Sequence, residues 1–464
     1  MSAPRQKVSS RWPVLAVALA GALVLAACGS GTKTTTTTTV APVAGSGANV
    51  NAPLSKTIGV GVTASTVKIG IALVDFKCIA PYIQITRINE DEVYKAFIKN
   101  INDHGGIAGR MIVPVFHTFC PIQPGPALSL CTTFTEDDHV FAVMGDFTDL
   151  TGQAQPCIAD QHKTVLITID LTQAIIDSSP PGMIIGFDPI QERQVSVLLE
   201  LLRRQHILNG KKVAVLGEAT TEQSVQKVLL PGLKQMGVDL GSTASLTISG
   251  ADTTAAAAQL QSFIEKWKTE HVNTVILSGL QVSAQQFVPA LVKAMPGVQL
   301  IADNTNVDGY GQDLQKAGVR PNPYEGILAA GGMSSQAYDR SAHWKTCAAI
   351  YQRYFHTTAP NAEAVIAGPD GHTVDTFGSI TDACSELTLF QDIADRVGKY
   401  LDDANWVNVV DHYGNIPAMD SLYGSLHAGK YDAGDTFALV AFDSKIGPEG
   451  DWRYLTPVED VPAE

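Results

Sequence analysis

Two glycine-containing stretches have spacing close to that of a phosphate-binding loop, the site that a nucleotide enzyme needs. The first, INDHGGIAGRMIVPV, spans residues 101–115. A phosphate loop runs from a strand through glycines to a helix N-terminus, so that backbone N–H groups face the anion. In 101–115 a helix-like stretch comes first and an apolar strand follows, which is the opposite order. We therefore interpret Gly105 as a helix cap and Gly106 to Gly109 as a tight turn into a strand.

The second stretch, GSLHAGKY (424–431), lacks the hydroxyl after Lys430 that would hold magnesium, and no apolar strand precedes it. We interpret it as a solvated turn, and the acids of TEDDH (135–139) as a charged helix end. The eleven histidines are dispersed, and the sequence contains no G-x-G-x-x-G, H-E-x-x-H or G-x-S-x-G motif. The sequence thus predicts no metal, no cofactor and no enzyme. A secreted hydrolase built from distant loops stays an alternative, because such sites leave little local trace.

The N-terminus has the features of an export signal. Basic residues precede the apolar run VLAVALAGALVL (14–25), which is shorter than the roughly 20 residues of a membrane span. The run ends in LAAC, which resembles a bacterial lipobox with Cys28 as the lipidated residue; an ordinary secretory signal is the alternative. We expect a signal peptide at 1–27 and a flexible Thr/Gly/Ser-rich tether at 28–64. The protein would then be anchored by lipid to the outer face of the cell membrane.

Charge and size restrict the function further. Residues 1–27 carry three positive charges and no acids, so their removal takes the formal net charge from −14 to −17. Such an acidic chain repels nucleic acid, and we expect no nucleic-acid partner. The remaining body of about 400 residues exceeds the usual size of one core, which predicts two domains or lobes.

Cysteine usage agrees with an oxidising compartment. The chain has seven cysteines, and six remain if Cys28 carries lipid. An even number suits three disulfides, for which the sequence alone allows fifteen pairings. A metal site is the alternative, but no C-x-x-C pair is present.

Apolar periodicity predicts the fold class. Short β-branched runs alternate with segments of helical spacing, such as the face formed by Val93, Tyr94, Phe97, Ile98 and Ile101. The predicted strands are 66–74, 111–116, 140–145, 164–169, 212–217, 274–279, 298–303 and 436–443, with helix-like stretches at 338–358 and 371–403. Apolar strands alternating with helices indicate an α/β fold with parallel central sheets covered on both faces. A proline-containing interruption at 178–194 separates two similar blocks, which indicates two doubly wound lobes.

The order of KIGIALV, NDHGGIAGR, CTTFTEDDHVFAVMGDF and TVLITID, behind a lipobox and a tether, resembles solute-binding proteins of the branched-chain amino-acid (Leu/Ile/Val-binding) type. The resemblance implies a type I periplasmic binding protein: two lobes joined by a three-crossover hinge, which deliver a solute to an ABC permease. Lobe 1 would comprise 65–190 and 325–430, with 324–333 as a strand returning to it, and lobe 2 would comprise 191–324 and 431–460. The crossovers would fall near 178–192, 320–328 and 428–436. In that fold, proximity favours the disulfides Cys78–Cys120, Cys131–Cys157 and Cys347–Cys384. We expect a monomer.

The resemblance also implies a ligand site at the carboxyl ends of the strands, in the cleft between the lobes. Thr172 falls where the family has a carboxylate-binding threonine, Asp149 where it has a serine, and Asn304 on or near a glutamate position. These departures put an amide, a polyol, a cationic solute or another small polar compound on a par with the family's branched-chain ligands. The predicted ligand is therefore a small polar solute (an amino acid, an amide or similar). The candidate ligand residues are Asp75, Phe76, Phe147, Thr148, Asp149, Asp170, Thr172, Glu218, Thr220, Gln281 and Asn304.

Each candidate residue also has an ordinary structural interpretation. Asp149 and Thr148 could simply cap a helix that starts near Leu150, and Phe76 and Phe147 could belong to the core. A lipid-anchored ligand sensor of the same fold, without transport, is the functional alternative, because its folded chain would have the same features.

Overall fold

A computed structural model of the protein describes residues 53–460 except 84, 124, 146, 148, 150–151, 170, 248–252, 281–282, 305–307, 363, 365, 369–372 and 418–422. The predicted signal peptide, Cys28 and most of the predicted tether lie outside the described residues. None of the helices in the described part of the chain combines the length and the apolar character needed to cross a membrane.

The first part of the chain forms a five-stranded parallel sheet. Its elements are β1 (Thr66–Val74), α1 (Phe76–Ile79), β2 (Ile85–Thr86), α2 (Glu90–Asp103), β3 (Met111–Phe119), α3 (Pro126–Thr132), β4 (Ala142–Gly145), α4 (Ala154–Pro156), β5 (Val165–Thr168), α5 (Gln173–Asp177) and β6 (Ile184–Gly186). One π-helical turn follows α3 (Thr133–Asp137) and another follows α4 (Cys157–Gln161). The strand order is β3-β1-β4-β5-β6, and all neighbours are parallel.

The next part forms a second parallel sheet. Its elements are α6 (Gln191–Arg204), β7 (Lys212–Glu218), a 3-10 turn (Ala219–Thr221), α7 (Glu222–Ser224), a π-helical turn (Val225–Leu229), α8 (Leu230–Gln235), β8 (Asp239–Leu246), α9 (Thr253–Thr269), β9 (Thr274–Ser278), α10 (Ala284–Ala294), β10 (Gln299–Ala302), α11 (Asp308–Lys316) and β11 (Leu328–Gly331). The parallel order β8-β7-β9-β10-β11 repeats the order of the first sheet. This α/β architecture with parallel central sheets confirms the predicted fold class.

The last part of the chain adds helices to the core of the first sheet and strands to the second sheet. Its elements are α12 (Ser335–Asp339), α13 (Ala342–Phe355), β12 (Thr373–Val374), α14 (Thr376–Val397), a 3-10 turn (Gly398–Tyr400), α15 (Asp403–Asp411), β13 (Gly414–Pro417), β14 (Tyr423–Leu426), β15 (Thr436–Asp443), β16 (Asp451–Tyr454) and β17 (Glu459–Asp460). Trp344, Phe390 and Trp406 of the helices α13, α14 and α15 join the core around the first sheet. By contrast, β15 and β16 extend the second sheet in antiparallel fashion.

Two groups of elements, referred to below as lobes, follow from these cores. Lobe 1 contains the first sheet and the helices that pack on it, from residues 53–186 and 335–431. Lobe 2 contains the second sheet, from residues 191–331 and 436–460. The apolar residues around the second sheet form their own clusters on its two faces.

One predicted element belongs to the other sheet. The apolar run 324–333 was expected to return to lobe 1, but β11 pairs in parallel with β10 (Ile301↔Leu328) and antiparallel with β15 (Leu328↔Ala441). The prediction was wrong for this strand because an apolar run indicates a strand without indicating which neighbours it will pair with. The chain therefore crosses to lobe 1 after Gly331 rather than at 320–328.

The end of the predicted tether is part of lobe 1. The backbone N–H of Leu54 donates to Asn405 Oδ1 at 2.7 Å, and that of Gly59 donates to the carbonyl oxygen of Leu401 at 2.8 Å. Thr57 Oγ1 donates to Asp402 at 2.5 Å. Because these donors find fixed acceptors in and before α15, the folded body starts at or before residue 54, and not near residue 65 as composition suggested.

The glycine-rich stretch turns as predicted. The helix α2 buries Val93, Phe97 and Ile101 and ends at Asp103. Gly106 has φ 72°, and a Cβ built on it would lie 2.0 Å from the carbonyl oxygen of Arg110. Only glycine fits this turn, because a side chain would collide with the backbone that leads into β3.

Three cysteine pairs lie within disulfide distance, all in lobe 1. The pairs are Cys78–Cys120, Cys131–Cys157 and Cys347–Cys384, with Cα–Cα distances of 5.8, 6.1 and 5.8 Å. The first pair fastens α1 to the end of β3, and the third joins α13 to α14. This is the pairing that the implied fold favoured.

Candidate functional site

The chain passes between the lobes in three segments: 187–190, 332–334 and 432–435. The first and third segments run side by side, because Gly186 and Asp432 form a parallel bridge. Both coincide with predicted crossovers, whereas the second lies C-terminal to its predicted position. Three adjacent connections of this kind form a hinge about which two lobes can close on a ligand.

Buried charges fix the geometry of the hinge. Arg193, near the start of α6, pairs with Asp435 at 2.8 Å and with Asp432 at 3.5 Å. Lys430 lies 3.0 Å from both carboxylates. The Ile190 N–H donates to Asp432 Oδ2 at 3.0 Å. Two cations and two anions therefore neutralise one another inside the hinge, as buried charges require.

A cavity of about 530 Å³ lies between the lobes, beside this hinge. Lobe 1 contributes residues of β2, of the segment 360–366 and of the start of α14. Lobe 2 contributes residues of α11 and the end of β11, and the crossovers contribute Phe187 and Gly434. A concave, partly apolar cavity of this size between two lobes is the usual form of a small-molecule site.

An arginine and three carboxylates form the polar wall of lobe 1. Arg87 Nη1 lies 2.8 Å from Glu90 and 2.7 Å from Asp382, and its Nε lies 3.4 Å from Asp375. The Arg87 side chain is only 11% exposed and that of Glu90 only 8%. Glu386, further along α14, accepts hydrogen bonds from Tyr94 Oη and from the Gly145 N–H, both at 2.8 Å. These contacts hold α14 against the sheet, so the arginine cluster has a fixed position.

The helix α11 forms the polar wall of lobe 2. Tyr310, Asp313 and Lys316 recur every three residues, which places them along one side of the helix, and all three border the cavity. Lys316 Nζ donates to the carbonyl oxygen of Ala362 in lobe 1 at 3.2 Å and lies 3.9 Å from Glu449. Burial raises the pKa of Asp313 to about 7, Lys316 opposes that shift, and the negative charge of Asp375 adds to it.

Most of the described candidate residues have contacts within their own lobe. Asp75 accepts a hydrogen bond from the Lys77 N–H at 3.1 Å, and Thr172 accepts one from the Ile175 N–H at 3.3 Å. Asp149 Oδ2 accepts from the N–H groups of Gln153 and Ala154 at 2.8 and 2.7 Å. Asp75 and Thr172 are the N-caps of α1 and α5. Asp149 binds N–H groups at the start of α4, a helix that begins at Ala154 rather than near Leu150 as the capping alternative supposed.

The other described candidates divide between core and cavity. Phe147 is fully buried beside Phe119, and Phe76 packs against the small core near Ile79. Glu218 is buried and accepts a hydrogen bond from Ser283. Among the described candidates only Asn304 borders the cavity, where its amide donates to Gln194 Oε1 at 3.0 Å. Ligand contact by the others stays a prediction.

Asp303, beside Asn304, is the buried acid at the end of β10. It accepts hydrogen bonds from Gln191 Nε2 at 2.5 Å and from the Gly279 N–H at 2.9 Å. Burial raises the pKa of Asp303 to about 6, although these donors favour its ionised form. The carboxylate therefore links β10 to α6 inside lobe 2.

Four candidates give no structural information. Thr148, Asp170 and Gln281 lie outside the described residues, and so does the side chain of Thr220. Other polar residues that border the cavity were not predicted, among them Arg87, Asp313, Lys316 and Asp375. The three-residue spacing of Tyr310, Asp313 and Lys316 was the one available signal, and it marks a helix face without marking what that face contacts.

Two groups of side chains have the proximity of metal ligands. They are Cys131, Cys157 and His162, and His343, Cys347 and Cys384. In both groups the two cysteines are bonded to each other, so their sulfur atoms are not thiolates that could bind a metal.

Known proteins with a similar sequence pattern or a similar fold include binding proteins. Residues 88–367 match the family described as periplasmic binding proteins. No curated protein is significantly similar in sequence.

Among solved structures, a fatty acid ABC transporter substrate-binding protein from Thermomonospora curvata is 15% identical with a TM-score of 0.63, covering 87% of this chain and 95% of that one. A solute-binding protein of an ABC transporter from Rhodopseudomonas palustris BisB5, in complex with 3,4-dihydroxybenzoic acid, is 15% identical with a TM-score of 0.60, covering 85% and 97%. A branched-chain amino-acid ABC transporter protein from Thermus thermophilus with bound valine is 11% identical with a TM-score of 0.60, covering 86% and 97%. At these identities the likeness establishes the fold alone.

Proposed function

The chain belongs to the periplasmic binding protein family, and from that premise we propose that it captures a small solute between its lobes outside the cytoplasm and delivers it to an ABC permease. The observation that carries the proposal is the cavity of about 530 Å³, which both lobes and the hinge enclose. The structurally similar proteins named above bind valine or 3,4-dihydroxybenzoic acid, or are named for fatty acids, which supports a small organic solute.

The proposed action is binding and closure rather than catalysis. The two described cations of the cavity, Arg87 and Lys316, are engaged with acceptors of the protein, and so are the carboxylates of Asp375 and Asp382. A histidine–serine contact does occur, His343 Nε2 to Ser385 Oγ at 3.1 Å. It lies inside lobe 1 beside the Cys347–Cys384 disulfide, where burial lowers the pKa of His343 to about 4. Neither His343 nor Ser385 is among the residues that border the cavity, so this contact does not support a hydrolase there.

The proposal includes a lipid anchor at Cys28 after removal of residues 1–27, and a monomeric body. The LAAC sequence and the apolar run before it support the anchor. The two lobes fold around their own cores and enclose the cavity within one chain, which supports a monomer that binds without a second copy.

The test is thermal melting of the purified protein against a library of amino acids, amides, amines, polyols and carboxylic acids. A solute that binds only the folded protein raises the melting temperature with concentration, by about 2.7 kcal/mol of stability at a hundred times its dissociation constant. Thr381 borders the cavity and donates to the Gly378 carbonyl oxygen at 2.9 Å. We expect Thr381→Trp to fill the cavity and abolish the shift.

The control is Thr346→Trp, since Thr346 is exposed on α13 and makes the equivalent bond to the Ala342 carbonyl oxygen at 3.0 Å. It should keep the ligand-induced shift. If no member of the library raises the melting temperature, or if Thr381→Trp keeps a full shift, the cavity is not the solute site.

Uptake of the labelled solute by cells with and without the gene separates transport from sensing.

A further inference from the structure

Both basic side chains of the cavity already have acceptors within the protein. The Arg87 guanidinium is within 3.4 Å of oxygens of three carboxylates. The Lys316 ammonium donates to the Ala362 carbonyl oxygen and lies near Glu449. An anionic ligand would have to displace these partners, which would leave buried carboxylates without a counter-charge.

Helix N-termini are the other common anion sites, and two described ones at the cavity are capped by the protein's own groups. At the start of α14, Asp375 accepts from the Gly378 N–H at 2.7 Å. At the start of α12, Asp451 accepts from the N–H groups of Ser335 and Gln336, both at 3.1 Å. Negative charge therefore already occupies the positive end of each of these helices at the cavity.

Asp313 differs from the other described acids of the cavity in having neither a hydrogen-bond donor nor an ion-pair partner among the described residues. Its side chain is half-buried and faces the space between the lobes from α11. Its charged neighbours are Lys316 on the same helix and Asp375 across the cavity. Lys316 is engaged by Ala362, and no described cation lies within ion-pair distance of Asp313, so this carboxylate can receive the positive charge of a ligand.

Aromatic rings provide the remaining surface for a cation. Tyr310, one turn before Asp313, borders the cavity together with Tyr338 and Phe377. The rings of Tyr338 and Phe377 pack edge to face with centroids 5.7 Å apart. The faces of such rings attract an ammonium group, while their apolar area accommodates a hydrocarbon body.

Taking the solute site to be the one proposed above, we propose that this cavity binds a small organic amine without a carboxylate, its ammonium group received by Asp313. The described ionisable groups of the cavity agree: four carboxylates (Asp188, Asp313, Asp375, Asp382) face two cations (Arg87, Lys316), a formal excess of two negative charges. An ammonium between Asp313 and Asp375 compensates this excess and bridges the lobes. A zwitterion would also bring a carboxylate, and the two described cations of the cavity, Arg87 and Lys316, already have partners.

The test uses probes that share a hydrocarbon body and differ in their charged groups. One set is 2-phenylethylamine, phenylalanine and 3-phenylpropanoate; a second is 3-methylbutylamine, leucine and 4-methylpentanoate. Binding is measured by calorimetry and thermal shift at pH 8, with the broader solute library in parallel. We expect the amine of at least one set to bind and the matched amino acid and carboxylate not to bind.

Two variants assign the ammonium site. Asp313→Asn should weaken amine binding by about 30-fold or more, the usual consequence of removing one partner of a desolvated charge pair. Asp137→Asn, at an exposed acid of lobe 1, should leave it unchanged. The wild-type affinity should also fall by about tenfold between pH 8 and pH 6 as Asp313 takes up a proton, and Asp313→Asn should lose this pH dependence.

The outcomes separate the two proposals. If amino acids or carboxylates bind and the amines do not, the amine proposal is overturned while solute binding stands. If amines bind with the same affinity to Asp313→Asn, the assignment of the ammonium site is overturned. If no probe and no library member binds, the solute-binding proposal itself fails, and the amine proposal fails with it.

Discussion

The two lobes have the same strand order in their parallel sheets, yet they present different chemistry to the cavity. In lobe 1 every described carboxylate at the cavity is engaged: Asp375 and Asp382 pair with Arg87, and Asp375 also caps α14. In lobe 2, Asp313 faces the same space without a hydrogen-bond donor. The charges of the lobe 1 wall therefore stabilise that wall, whereas the lobe 2 wall has a charge available for a ligand.

This comparison also explains why residue type alone is a poor guide to a binding site. Asp149 and Thr172 stand at strand ends where a ligand would be expected, but backbone N–H groups of the following helices bind their oxygens. Asp313 stands within a helix and has no such neighbour. A polar side chain is available for a ligand when the fold leaves it without a local partner, and that depends on tertiary contacts.

The largest effect is expected from removing the central cation of lobe 1. Arg87→Ala would leave the carboxylates of Glu90, Asp375 and Asp382 near one another without their counter-ion. We expect the free energy of unfolding to fall by about 3–5 kcal/mol, as when one partner of a buried ion pair is removed. Urea denaturation measures the change.

The control is Arg203→Ala, because Arg203 pairs with Glu200 at 2.7 Å but is 60% exposed. Its loss should cost less than about 1 kcal/mol. Equal losses for the two variants would show that the arginine cluster behaves as a surface pair, and the contrast between the lobes would then disappear.

A second prediction concerns the stability of the ligand-free protein as a function of pH. Burial raises the pKa of Asp313 to about 7, above its usual value of 3.8, with Lys316 and Asp375 as its charged neighbours. Between about pH 4 and pH 7 the folded protein keeps a proton that the unfolded chain releases, so the free energy of unfolding falls as the pH rises through that window. Asp303 and Asp403, whose pKa values burial raises to about 6, act in the same direction.

From these three acids together we therefore expect a loss of up to about 5 kcal/mol of stability between pH 5 and pH 7.5, about half of it from Asp313. Asp313→Asn should remove the part of this decline above pH 6 and raise the melting temperature at pH 8. Melting curves of both proteins over this pH range make the measurement. An unchanged slope in the variant would mean that Asp313 keeps its ordinary pKa in the folded protein.

The smallest effect is expected from a strand-end residue of lobe 1. Asp149→Ala removes the carboxylate that accepts from the Gln153 and Ala154 N–H groups, and should cost about 1 kcal/mol, the typical contribution of a helix cap. The ligand-induced rise in melting temperature should be unchanged. If ligand affinity falls as well, Asp149 contacts the solute, and lobe 1 contributes to recognition at its strand ends after all.

Much of the fold was predictable because the apolar pattern is local information. The strands Thr66–Val74 and Thr436–Asp443 agree with their predictions, and the face of α2 containing Val93 and Phe97 is buried. The strand Asp239–Leu246 was missed because its sequence, DLGSTASL, is rich in small and polar residues and lacks β-branched apolar side chains.

What could not be predicted depends on contacts between distant segments. The strand β11 was recognised but assigned to the wrong lobe, because its pairing with β10 leaves no trace in its own residues. The cavity wall combines Arg87 with Asp375 and Asp382, nearly 300 residues further along the chain. No spacing rule links such positions. Asn304, which borders the cavity, follows a predicted strand and was a candidate through the family resemblance.

The attachment of residues 54–59 to α15 has a mechanical consequence. Leu54 and Gly59 are hydrogen-bonded to lobe 1. If the upstream chain is attached to a surface, lobe 1 is therefore the lobe that stays fixed. Lobe 2 is joined covalently to lobe 1 through the three crossovers, so it can move without loading the attachment of residues 54–59. The free energy of closure then depends on the hinge and on the solute, and the affinity for the solute is independent of any tension in the upstream chain.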